Sequence, residues 1–192
     1  MSLELRHELI DAVIAERPHM RKIVNDYQTM MEGNWDMVAF SYRQSFEVLW
    51  DHAMAQGKPA SLYIGPLMML WRQSVELSIK AAINETTRAE PPGSHDLTYL
   101  FDALLTARRT MCSFESDDDD HTRGVRATVI EFQKADERAD RFRYPTGRGG
   151  VAYAGIAVDI KRLLQAHWLI TNWAEAAGLE AEHYNLHVRP AD

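Results

Sequence analysis

Apolar side chains return every three or four positions in several separate segments of this 192-residue chain, and stripes with that spacing can be buried together only if the segments are helices. Between Trp35 and Met54 the stripe is Trp35, Val38, Tyr42, Phe46, Leu49 and Ala53, with Asn34 placed as an N-cap and Gly57 as a stop. From about Pro66 to Asn84 it is Leu67, Trp71, Val75, Ser78, Ile79 and Ala82, with Pro66 suited to a first helical turn. After the Pro-Pro-Gly run, Leu97, Leu100, Phe101 and Leu104 predict a shorter helix that starts at Ser94, His95 or Asp96. Val125, Val129 and Phe132 predict a helix over about Asp119 to Phe142, led by acidic residues that suit its N-terminal dipole. Ile156, Ile160, Leu163, Leu164, His167, Ile170 and Ala174 share the face of a last helix, with Gly178 as its C-cap.

Leu3 to Ala15 and Met20 to Met31 also have helical composition, broken at Pro18, and no segment alternates with period two, so no sheet is expected. The chain is therefore expected to be all-α, an up-and-down bundle of about five main helices. One domain would span 1–192, with an N-terminal helical extension over 1–34, the bundle over 35–178 and a tail over 179–192.

A net charge of −7 disfavours nonspecific nucleic-acid binding, which needs an excess of Lys and Arg. The segment MSLELRHELID has neither a basic start nor an apolar stretch of signal-peptide length, and the apolar run Leu62 to Trp71 is half a bilayer crossing. Cys112 is the only cysteine. A cytoplasmic protein without membrane span, disulfide or cofactor is expected.

Three stretches occur in a telling order: Val75-Glu76-Leu77-Ser78-Ile79-Lys80-Ala81-Ala82, then Ser94-His95-Asp96-Leu97, then Phe142-Arg143-Tyr144-Pro145. In that order they resemble the HEPN superfamily of small helical bundles, over about Trp50 to Ala174. The resemblance implies a non-catalytic interaction domain that pairs with itself or with a protein partner, in a bacterial defence, stress or toxin–antitoxin setting. The residues also read without the family. Glu76 and Lys80 form an i,i+4 ion pair in the favourable order, or Glu76 is partly buried and holds Arg143. His95 and Asp96 cap a helix start.

Ribonuclease members of the superfamily use an Arg and a His separated by four to six residues, the His moving a proton and the Arg stabilising phosphate charge. Arg162 to His167 and Arg88 to His95 have that spacing. Leu163 stands where active members carry a polar residue, His167 lies on the apolar stripe, and five helical steps turn the two side chains about 140° apart. A metal-independent endoribonuclease toxin acting on RNA through Arg162 and His167, as a dimer that brings two such pairs together, is thus the alternative to a packed core histidine.

Arg143 and Arg148 beside the glycine-rich run Gly147 to Gly150 are candidate phosphate contacts, against a flexible connector. Glu4 with His7 and Glu180 with His183 have di-iron spacing, and His183 with His187 could share a helical face, but end segments of this kind are expected to be mobile and no metal site is assigned. Asp117 to Asp120 reads as a solvated helix start, Cys112 as an inert thiol, and Met68 with Met69 as core filler.

Overall fold

A computed structural model describes residues 6, 8, 33–55, 61–112, 119–147, 149–155 and 157–187. Glu4, His7, Pro18, Gly57, Asp117, Arg148, Ile156 and the Cys112 side chain lie outside the described residues, as do the two helical segments expected before Gly33 apart from Arg6 and Glu8. The chain divides into two compact units, Met1–Gly33 and Asn34–Asp192. Arg6 and Glu8 of the first unit are helical and exposed.

The second unit is all-α. Its described residues form helices α1 (Trp35–Ala55), α2 (Ser61–Thr87), α3 (Leu97–Cys112), α4 (Asp120–Ala135) and α5 (Ile160–His187). Short acceptors open them. The Asn34 Oδ1 takes the Met37 N–H at 3.0 Å, Asp96 takes that of Tyr99 at 2.9 Å, Asp119 that of Thr122 at 2.8 Å, and Asp159 that of Arg162 at 3.1 Å. Each satisfies a donor that the first turn of a helix leaves free.

The central element is α2, which packs on α1, α3 and α5. Its Leu67, Trp71, Val75 and Ile79 are at most 1% exposed, and they meet Phe46 of α1, Leu100, Phe101 and Leu104 of α3, Val125 and Val129 of α4, and Ile170 and Ala174 of α5 in one apolar core. Trp71 stacks on Phe132 with centroids 3.8 Å apart, while its indole N–H donates to the Leu163 carbonyl at 3.1 Å. The ring thus buries its area without stranding its polar atom. None of these described helices is long and apolar enough to cross a membrane.

Contacts along the helices fix their directions. Trp71 bonds to Leu163 and Ser74 meets His167, whereas Asn185 bonds to the Glu85 carbonyl, so α2 and α5 run the same way. Trp50 reaches Ile160 and Arg43 reaches Glu175, so α1 runs against α5. Successive helices alternate in direction except α2 and α3. The Pro91-Pro92 segment is the reason: residues 88–96 return along α2 until His95 lies beside Glu76 and Arg72, and α3 then runs the same way as α2 from about its middle. Prolines favour such an extended path, at about 3.1 Å per residue.

Three helices have limits that differ from the sequence expectation. Helix α2 begins at Ser61, so Pro66 lies inside it. The imide nitrogen cannot bond back to Leu62, but that residue is 77% exposed and water can take its carbonyl. Helix α4 stops at Ala135 rather than near Phe142, because Asp136 leaves helical geometry (φ −145°, ψ 68°) and Ala139 adopts a positive φ of 56°. Helix α5 begins at Ile160, after its cap Asp159, so Ile156 precedes it, and it continues through Gly178 to His187, so the expected tail over 179–192 is helical as far as His187. Gly178 is not a cap. It faces α2, where a Cβ would lie 3.8 Å from the Ala82 Cα, and so marks a close approach of two helices.

Gly124 has no such duty. It is exposed in α4, and a Cβ built there would meet nothing within 4 Å. Gly124→Ala is expected to stabilise the chain by about 1 kcal/mol, raising the melting temperature by about 2–4 °C in a calorimetric scan.

Candidate functional site

Two of the three sequence stretches singled out above meet at Glu76, and the third reaches Gln73 on the same helix. The Glu76 carboxylate is 3% exposed, and Oε1 accepts from the Lys80 Nζ at 2.8 Å, with Lys80 itself 8% exposed. The same oxygen meets the His95 Nδ1 at 2.9 Å. Glu76 and Lys80 therefore form a buried pair rather than a surface one. Asp96 caps α3, but His95 does not cap; its ring turns back onto Glu76 and its carbonyl accepts from the Arg72 Nη2 at 2.7 Å. Arg143 is not held by Glu76. Its guanidinium donates to the Gln73 Oε1 at 3.4 Å, one helical turn away.

Three further residues complete this polar hub, and none was anticipated from sequence. Arg72 is 5% exposed on α2 and donates to the Gln133 Oε1 at 3.2 Å, with its Nε 3.7 Å from the Asp136 Oδ2. Burial lowers its guanidinium from the ordinary arginine value, while Asp136, Glu76 and Asp96 oppose that shift and Arg143 adds to it. Gln133 also takes the buried N–H of Leu97 at 2.9 Å and donates to the Glu137 carbonyl at 2.9 Å. One amide thus ties the start of α3 to the end of α4. Asp136 accepts the N–H groups of Asp140 and Arg141 at 3.0 and 3.1 Å, folding the chain after α4 into place.

Gln133 had a sequence signal: it stands four residues after Val129 and eight after Val125, a polar side chain on an apolar stripe. Replacing it with leucine strands the Leu97 N–H in the core. Gln133→Leu is expected to cost about 2 kcal/mol, read as a lower urea midpoint with an unchanged slope.

The segment after Asp140 folds into a hydrogen-bonded turn. Thr146 and Ala152 form an isolated antiparallel bridge, Gly147 donates to the Val151 carbonyl at 2.9 Å, and Gly149 and Gly150 hold positive φ values of 104° and 77° that favour glycine. Tyr153 fastens it by donating to Asp140 at 2.6 Å and by bonding through its N–H to the Pro145 carbonyl at 3.4 Å. Tyr144 is 61% exposed beside it.

Arg162 and His167 are not brought together. Arg162 is 85% exposed and lies 3.5 Å from its own cap residue Asp159. His167 has no exposed surface: its Nε2 meets the Ser74 Oγ at 2.9 Å, its ring lies 4.2 Å from that of Phe46, and Nδ1 finds no partner among the described residues. Burial, and secondarily Arg43, pushes its pKa down to about 3. The other Arg–His match separates likewise. Arg88 takes a positive φ of 54° at the end of α2 and pairs with Glu85, whereas His95 belongs to Glu76. At the end of α5 the His183 and His187 rings lie 4.8 Å apart, and Glu180 pairs with Arg108 at 3.0 Å. Among the described residues no group of three or more His, Cys, Asp or Glu side chains could hold a metal ion.

A groove of about 360 Å³ runs between α1 and α5 over the back of α2. Ala39, Ser78, Ala82, Ala174 and Gly178 line its floor, with Phe40 (48% exposed) and Leu179 (60% exposed) on its rims. Arg43 and Glu175 bridge its walls at 2.6 Å, and Asp36, Glu85 and Glu182 surround its other end. The ion pair crosses the groove, and Ala82 and Ala174 beneath it are buried, so its rims are what stand open. Comparison of the chain with protein-family models, curated proteins and solved structures found no match.

Proposed function

We propose that this chain is a non-catalytic helical interaction module, HEPN-like in the order of its motifs, that docks a protein partner. The groove between α1 and α5 carries the reading, because its rims leave Phe40 and Leu179 uncovered among the described residues. The engaged state of the acid–base residues supports it. His167 is sealed in the core, Glu76 is engaged by Lys80 and His95, and Asp96 is a helix cap. A place in a bacterial defence, stress or toxin–antitoxin system is what the resemblance adds to this reading.

The test is co-expression followed by reconstitution. The purified chain is expected to form a stoichiometric complex with an identified partner, rebuilt from pure components and seen by sedimentation at micromolar concentration. It is expected to leave RNA intact in the presence of a chelator. RNA cleavage by the parent that Arg162→Ala, His167→Ala or His95→Ala abolishes, in variants that remain folded, would establish the ribonuclease instead.

A further inference from the structure

The geometry points to a two-imidazole clamp for a divalent transition-metal ion at the end of α5, formed by His183 and His187. The two residues have the i,i+4 spacing that places side chains on one helical face, with their Cβ atoms about 5–6 Å apart. In an unstructured tail that spacing would mean nothing. Here the helix is formed and anchored through this turn: Ala181 has no exposed surface, and the Asn185 Nδ2 donates to the Glu85 carbonyl of α2 at 3.2 Å. His183 and His187 are both exposed on the same turns.

The rings are spaced for the task. Imidazole nitrogens bind such ions at about 2.0–2.1 Å, which puts each ring centroid about 3.2 Å from the metal, and two ligands at about 90–110° then hold their centroids about 4.5–5.2 Å apart. The observed separation is 4.8 Å, with the ring planes tilted by 50°. Only side-chain rotation remains to bring one nitrogen of each ring to the ion. The last carbonyls of α5 present the negative pole of its dipole, which favours a cation in this turn. Among the described residues no third His, Cys, Asp or Glu joins the pair. Two ligands fill half of a tetrahedral shell, so two positions stay open to water or to donor atoms of another molecule. The clamp needs no protein partner to form. Imidazole suits Cu²⁺, Ni²⁺ and Zn²⁺, whereas Mg²⁺ and Ca²⁺ take oxygen ligands.

The untagged full chain can be dialysed to equilibrium against micromolar Ni²⁺, with circular dichroism confirming that each variant is folded. The parent is expected to take up Ni²⁺ and not Mg²⁺. His187→Ala removes one ligand at an exposed position and should weaken binding by about tenfold or more, since the second imidazole no longer adds to the first. Leu179→His/His187→Ala places an imidazole four residues before His183, at a position 60% exposed, and should recover the binding. Val151→His/His187→Ala returns the same number of imidazoles but puts the new one in the exposed turn after Asp140, and should not.

A parent chain that takes up no Ni²⁺ at micromolar concentration, or takes up Mg²⁺ equally, would overturn the clamp. So would binding that His187→Ala leaves unchanged, failure of Leu179→His/His187→Ala to recover it, or equal recovery by both double variants.

Discussion

Glu76→Leu is expected to lower the unfolding free energy by about 4 kcal/mol, the largest effect of any single substitution considered for this chain. The reason lies in what remains. Lys80 is 8% exposed and its ammonium finds its charge partner in the Glu76 Oε1 at 2.8 Å, so removing the carboxylate leaves a buried cation facing leucine. Arg72 loses one of the carboxylates that oppose the effect of its burial, leaving Asp136 and Asp96. His95, with 67% of its side chain exposed, can turn to water and adds little to the cost. Removing both charges tests this account. Glu76→Leu/Lys80→Met replaces the pair with apolar groups of similar length, and it should recover most of the loss because both desolvation penalties vanish together. Urea melts of the two single variants and the double complete the cycle. If the double variant is no more stable than Glu76→Leu, the pair is not what makes Glu76 necessary, and the hydrogen bond to His95 or the field at Arg72 must take its place.

The helices were legible in the sequence because burial imposes a period on each of them, and periods survive in the residue order. Phe46, Leu67, Trp71, Val75, Leu100, Val129 and Ile170 were all picked from spacing, and all are at most 1% exposed. Tyr42 fitted the same stripe yet is 37% exposed. Helix limits were harder to read. Gly178 in its local sequence has the form of a stop signal, and only the position of α2, whose Ala82 it faces, gives it a different purpose. The hub was half visible: Glu76, Lys80, His95 and Asp96 were singled out, but which atom holds which depends on the return of residues 88–96 along α2. Arg72 and Asp136 carry no local mark, since a charged residue in a helix gives no sign of its partner on another. The groove was not legible at all. It is made from the gap between α1 and α5, and Asp36, Glu85 and Glu182 become neighbours only when three helices are packed.

Acidification from about pH 7 to about pH 4.5 is expected to remove about 2.5 kcal/mol of stability through His167 alone. The imidazole has no exposed surface, packs against Phe46 at 4.2 Å, and makes one side-chain hydrogen bond, to Ser74, so the folded state holds it neutral. Its pKa falls from the usual 6.5 to about 3, with burial the main cause and Arg43 the second. Between those two values the unfolded chain carries a proton that the folded chain lacks. Unfolding therefore takes up a proton, and stability rises with pH by up to about 1.4 kcal/mol per unit across that window. The contribution is complete above 6.5, declines as the pH falls, and is exhausted once the folded state also protonates near 3. Carboxylates act lower down: Asp119, held below its usual 3.8 by the Thr122 N–H and hydroxyl, adds stability that disappears as pH drops through its folded value. Ser74→Ala/His167→Leu separates the two. It removes the titrating group together with the hydroxyl that would otherwise lose its partner, so it should cost little at neutral pH and should flatten the profile between about pH 6.5 and pH 4.5 while leaving the acid limb in place. Chemical melts across that range decide the matter, because parallel profiles for the parent and the double variant would mean that His167 takes up its proton without unfolding the core.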